Sequence, residues 1–227
     1  MSKKENKYFY KMSGSLINGG SLALLAIMII LTFLIFKLTN FRFELDSIDY
    51  AWSYIFLIPY FIFHEILHSI GYVVNGADFK RITYGAHIEK GILCCSCKQE
   101  VNKKCIMWSL MYPFLFIGIL TYILGIIFNN ITLVILSILN ISGCAGDLAM
   151  FFAFLKIKDF RFFEYDNPLA FGIVTSEDLS NRKFLGLVQY EENNFKQTVD
   201  KKVTVSKTST VLFVVYIVAA LLYLFLD

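Results

Sequence analysis

Two of the chain's three histidines stand four residues apart, with a glutamate directly after the first, in His64-Glu65-Ile66-Leu67-His68. On a helix, residues i and i+4 share one face. Both imidazoles can therefore grip one metal ion while Glu65 stands beside them, next to a water that the ion activates. A catalytic zinc usually takes three protein ligands and keeps one position for water, so a third ligand must lie elsewhere. The pattern runs on to Gly71, but a further histidine three residues later would fall at Val74. Glu89 and Glu100 are conceivable ligands in a polar loop, and His87 in the same loop reads as a surface histidine. Asp147 is the better candidate.

The surroundings of these residues are apolar. The 227-residue chain is 57% hydrophobic and 17% charged, with mean hydropathy +0.60. Between Cys105 and Leu155 the one formal charge is Asp147, and between Ala51 and Ala77 it is Glu65. An average soluble domain carries about 25% charged residues. This composition argues against a water-soluble enzyme, a disordered chain or a nucleic-acid binder.

About 20 apolar residues cross the hydrocarbon core of a bilayer. Five stretches qualify: Ile17–Leu38, Ala51–Val74, Ile106–Phe128, Thr132–Leu155 and Ser209–Leu226. The first follows four lysines, yet it is too long for a signal-peptide core and no small-residue cleavage site follows it, so it reads as a retained helix. Nineteen of the twenty-one Lys and Arg residues fall before the first span, in Asn75–Cys105 or in Lys156–Lys207. Basic loops favour the cytoplasmic side, which puts the N-terminus inside and the C-terminus outside. The fold class is thus mainly α: a polytopic helical membrane protein of about five spans, one domain over residues 1–227, with small β-containing cytoplasmic loops. Arg81–Tyr84, Phe171–Thr175 and Lys202–Val205 are the β-prone stretches, the first within an expected hairpin or re-entrant sheet.

In this orientation His68 and His64 lie six and ten residues from the cytoplasmic end of their span, or roughly 9–15 Å deep. Asp147 comes to about 12 Å by the same rise. A charge in a span is expensive and asks for a partner. The preceding Asn140-Ile141-Ser142-Gly143-Cys144-Ala145-Gly146 is rich in small residues, which let membrane helices approach. Asn140 lies on nearly the same face as Asp147, and Asn140 and Gly143 are candidate second-shell or substrate-binding residues.

His64-Glu65-x-x-His68 with a later intramembrane aspartate resembles the site-2 protease type of membrane zinc metallopeptidase. Over roughly Tyr50–Gly172 the chain more closely resembles small bacterial membrane proteins catalogued as zincin peptidases, which share the Asn140, Ser142-Gly143 and Gly146-Asp147 pattern. The site-2 proteases carry prolines before their aspartate and a glycine after it. This chain has no proline there and has Leu148 after Asp147. The resemblance implies one catalytic Zn2+ held by His64, His68 and Asp147, with Glu65 as acid/base. It also implies a bacterial cytoplasmic membrane location and a membrane-bound or membrane-proximal peptide substrate. A non-proteolytic metal sensor or carrier, and a zinc hydrolase acting on a lipid or small amide, remain alternatives. Cys94, Cys95, Cys97 and Cys105 are open to three readings: a second zinc site with His87, an acylated cluster, or free thiols.

Overall fold

The computed structural model describes residues 5–39, 47–87, 92–165, 169–192 and 194–195. It is mostly helical, with a small set of strands. Strand β1 (Asn6–Met12) leads into α1 (Gly14–Thr39), and α2 (Ser47–Val74) carries the histidine motif. α2 runs without a break through Pro59. It ends at Gly76, whose φ of +102° suits glycine. There the Gly76 and Ala77 N–H groups fold back onto the carbonyls of Val73 and Tyr72.

The loop after α2 forms the expected hairpin, β2 (Ile82–His87) paired antiparallel with β3 (Ile92–Cys97). A short strand β4 (Val101–Asn102) leads to α3 (Lys103–Pro113), capped by Asn102 Oδ1 accepting from the Cys105 N–H at 2.9 Å. The helix then widens into a π-helical segment over Phe114–Leu120 and resumes as α4 (Thr121–Ile127).

The expected single span Thr132–Leu155 is instead two helices. α5 (Ile131–Gly143) and α6 (Ala145–Leu155) meet at Cys144 with a bend of 50°. No proline causes it. Gly143 and Gly146 flank Cys144, and glycine favours a continuous helix least of all residues except proline. Among the described residues, three helical stretches (Gly14–Thr39, Ile55–Val74 and Lys103–Ile127) are long and apolar enough to cross a membrane, and the bent pair makes up to four. The fifth expected span, Ser209–Leu226, and the expected strand Lys202–Val205 lie outside the described residues.

The remaining strands are β5 (Arg161–Glu164), β6 (Ala170–Thr175) and β7 (Leu187–Tyr190). They join β1 and β4 in a five-stranded antiparallel sheet of order β4-β5-β6-β1-β7. The N-terminal segment, expected only as a basic tail, thus lies at the inside of this sheet, between β6 and β7. Alternation explains the fit, because Tyr8 and Tyr10 point to one face and Phe9 to the other. Tyr8 and Tyr10 join Phe162, Phe171 and Ile173 in a core that continues into Tyr72, Ile106, Leu110 and Phe154 of the helices. Phe9 packs on the opposite face with Phe163, Tyr165 and Phe195. The sheet is therefore seated on the ends of α2, α3 and α6, one to two turns beyond the histidine motif.

Candidate metal centre

His64 and His68 are both nearly inaccessible, at 9% and 8% exposure, and face α3, α5 and α6. Among the described residues, His64, His68 and Asp147 are the one group of three or more metal-type side chains whose ligand atoms lie close together, all within 4.8 Å. The two Nε2 atoms are 3.0 Å apart. Asp147 Oδ2 lies 3.5 Å from the first and 3.6 Å from the second. Asp147 reaches them because the bend at Cys144 starts a new helix, placing the aspartate in the first turn of α6, where exposed N–H groups favour an anion.

Each imidazole is fixed from behind. His64 Nδ1 is 2.7 Å from Asn140 Oδ1, while the Asn140 amide nitrogen donates to Pro113 O at 3.2 Å. That second bond sets which end of the amide faces the ring, so His64 Nδ1 is the donor. Asn140 is fully buried.

His68 Nδ1 donates to Ser109 O at 2.9 Å, and the Ser109 hydroxyl donates back to His68 O at 2.9 Å. Two sequence features make this exchange possible. A helical carbonyl ordinarily accepts from the N–H four residues on, but for Ser109 that residue is Pro113, which has none. The space comes from Gly71, where an added Cβ would stand 2.6 Å from Ser109 Cα. α2 and α3 touch there backbone to backbone.

With both Nδ1 atoms donating, a neutral ring has only a lone pair at Nε2. Two such lone pairs and a carboxylate oxygen then converge, with no donor among them. A proton on one Nε2 joins one pair; a divalent cation answers all three. Ligands around a tetrahedral zinc stand roughly 3.3 Å apart at ordinary Zn–N and Zn–O lengths, and the 3.0, 3.5 and 3.6 Å separations bracket that figure. Two histidines and a carboxylate, with the histidines held by outer-shell acceptors, also form a donor set suited to zinc.

Glu65 lies on the side of α2 that faces the hairpin, with the Cys95 backbone N–H directed toward its carboxylate. Gly143 sits exposed at the bend, with open space where a side chain would begin. Of the other acids weighed as ligands, Glu100 pairs with Arg161 at 2.9 Å on the surface, and Glu89 lies outside the described residues. His87 belongs to β2. The cysteines form no second centre with described partners: Cys94 and Cys97 are three apart on one strand and so point to opposite faces, and all five are free thiols. Cys105 Sγ donates to Tyr72 O at 3.3 Å. Ser109 and Pro113 escaped the sequence reading, and Gly71 entered it only as a continuation of the motif. The signal for them was Pro113 four residues after a serine in an apolar span, together with Gly71 at the third position after His68.

The π-helical segment contributes a second polar layer. Ile117 O accepts from the Tyr60 hydroxyl and from Thr121 Oγ1, and Thr121 shares a 2.7 Å bond with Ser137. Tyr60 is one turn before His64, so α2 is held against the third helical stretch at two successive levels. No curated protein and no solved structure matches the chain. Residues 57–159, which carry every member of the cluster and both of its outer-shell acceptors, match the model of a family described as "Putative zincin peptidase".

Proposed function

We propose that the chain is a membrane-embedded zinc metallopeptidase that hydrolyses peptide bonds of a membrane-bound or membrane-proximal substrate. One observation carries the reading. Two histidine Nε2 atoms and the Asp147 carboxylate converge as acceptors, while both Nδ1 atoms are committed elsewhere. The family match over residues 57–159 supports it.

The apolar surface supports the membrane. On α1 only Met28 and Thr32 are buried, whereas Leu22, Ile27 and Phe33 are more than half exposed, as a lipid-facing helix requires. The shared sheet puts the segments before α1, between α2 and α3, and after α6 on one side. That arrangement suits paired crossings, and the clustering of lysine and arginine in the same segments supports a cytoplasmic placement of that side.

Zinc, when bound, supplies Lewis acidity and lowers the pKa of a coordinated water toward ~7. The chain's own groups do the rest. His64, His68 and Asp147 hold the ion; Asn140 and Ser109 keep the imidazoles in the ligating tautomer. Glu65 takes the proton of the attacking water on its carboxylate and delivers it to the leaving nitrogen. The open side at Gly143 leaves room for an extended peptide backbone next to the cluster.

The test is metal content of detergent-purified protein by mass spectrometry, wild type beside His64→Ala and Asp147→Ala. About one zinc per chain in the wild type, lost in both variants, is expected for a single three-ligand site. A metal-free wild type prepared without chelator overturns the reading.

A further inference from the structure

The outer edge of β3 faces two carboxylates and is hydrogen-bonded to one of them. Cys95 and Cys97 are two residues apart, so their N–H groups point the same way, away from partner strand β2. The first is directed toward the Glu65 carboxylate. The second donates to Glu164 Oε2 at 3.1 Å. Glu164 Oε1 accepts from the Tyr72 hydroxyl at 2.7 Å, and Tyr72 stands one turn beyond His68 on α2. Glu164 itself belongs to β5 of the five-stranded sheet, outside the matched residues 57–159. It therefore ties the sheet, the hairpin and the ligand-bearing helix together at one carboxylate. The hairpin's other strand has a separate hold, since Tyr84 donates to Ser69 Oγ at 2.6 Å.

We propose that Glu164 is a positioning residue for Glu65: it anchors the outer edge of β3 so that the Cys95 N–H holds the Glu65 carboxylate in place beside the histidine–aspartate cluster. The inference rests on the proposed role of Glu65 as base. A base that must receive one proton and return it gains from a fixed orientation, and a surface hairpin pinned at only one strand would not give one. Loss of surrounding water pushes the Glu164 carboxyl above its ordinary range, against the pull of its donors Tyr72 and Cys97.

The experiment compares wild type, Glu164→Ala, Glu164→Gln and Cys97→Pro as full chains in detergent. Amide hydrogen exchange is read across 92–98, and dicyclohexylcarbodiimide labelling is read at Glu65. Loss of one charge-assisted hydrogen bond corresponds to about a tenfold change in local opening. Glu164→Ala is expected to speed exchange at Cys95 and Cys97 about tenfold and to raise Glu65 labelling several-fold, with exchange in α5 and β6 unchanged. Glu164→Gln, which keeps an acceptor for Cys97, is expected to restore most of the protection.

Cys97→Pro removes the donor without touching the acid or the β2 ladder, and is expected to reproduce Glu164→Ala. It keeps the test open if Glu164→Ala fails to fold. Unchanged Glu65 labelling in folded Cys97→Pro overturns the proposal, as does a uniform rise in exchange throughout the chain. Neither readout needs zinc or cleavage. A zinc-free wild type would therefore overturn the peptidase reading separately, and an unmoved Glu65 in a zinc-loaded protein would overturn this one alone.

Discussion

Asn140 Oδ1 lies 2.7 Å from His64 Nδ1, so a side chain 76 positions later on α5 decides which ring nitrogen of a histidine on α2 is free. Its amide nitrogen is spent on Pro113 O, leaving the bond to His64 with one sensible direction. Outer-shell partners of this kind are worth 10–100-fold in metal affinity. Asn140→Ala is expected to weaken zinc binding by about that factor, measured by chelator competition, with the helices still folded. Undiminished affinity would show that His64 needs no such support.

Glu65→Gln separates binding from chemistry. Glutamine keeps the shape and an acceptor for the Cys95 N–H, but it takes no proton at neutral pH. Zinc content is expected to match wild type, while cleavage of a membrane peptide falls by about 10²–10⁴-fold, the usual worth of a general base. Loss of zinc together with activity would make Glu65 a structural residue.

Gly71→Ala forces a methyl group to within 2.6 Å of the Ser109 backbone. No side chain can move aside there, so α2 and α3 must part. A destabilisation of about 1–3 kcal/mol is expected, read from thermal unfolding in detergent. Weaker zinc binding should accompany it, because Ser109 O withdraws from His68.

Pro113→Ala makes the opposite distinction. Alanine restores an N–H to the helix and offers Ser109 O an intrahelical donor. Helix stability should hold or improve, since alanine is the better helix former. Zinc affinity is nevertheless expected to fall about tenfold, because His68 must now compete for its acceptor. Chelator competition beside a melting curve checks both halves.

Glu164 gives a pH signature. Its carboxyl is raised in the folded chain by loss of solvation, so the folded state keeps the proton longer than the unfolded one. The stability it lends is present below the ordinary glutamate value and is lost as pH rises through the raised folded value. Against Glu164→Gln, the wild type is expected to lose relative stability as pH climbs from 4 toward neutrality, checked by melting temperatures along that series. A flat difference would mean that the carboxyl titrates as if in water.

The centre itself was legible from local information. Residues i and i+4 share a helix face wherever the helix sits, and an isolated aspartate in an apolar run announces that something must meet it. Helical rise then placed Asp147 at the level of His64 and His68, and the structure brings the three together. The hairpin from Arg81 onward and the strand at Phe171 were also visible, because β-branched and aromatic residues between turn formers mark strands by themselves.

What escaped depends on distant partners. Nothing in Asn6–Met12 says that it will pair with Ala170–Thr175 and Leu187–Tyr190. The break at Cys144 carries no proline to mark it. The π-helical turn is held open by Tyr60 and Asn140 from other helices, and the worth of Gly71 appears only when Ser109 stands against it. Nothing in the sequence sets Glu164 apart from the other acids of Lys156–Lys207.

The place of β1 in its sheet also sets an order of events during synthesis. β6 and β7 do not pair with each other; both hydrogen-bond to β1. The sheet therefore cannot close until a strand at Asn6–Met12 meets partners made about 160 residues later. At ordinary ribosomal speeds of about 5–20 residues per second, that wait is on the order of 10–30 s. Through it Asn6–Met12 lacks both of its native partners, and an unpaired segment of this kind is open to wrong ones. Its lysines at positions 7 and 11 oppose such pairing by charge until Ala170–Thr175 arrives. The earliest strand of the sheet to be made is among the last to be used, and the cap over the histidine-bearing helix is finished only then.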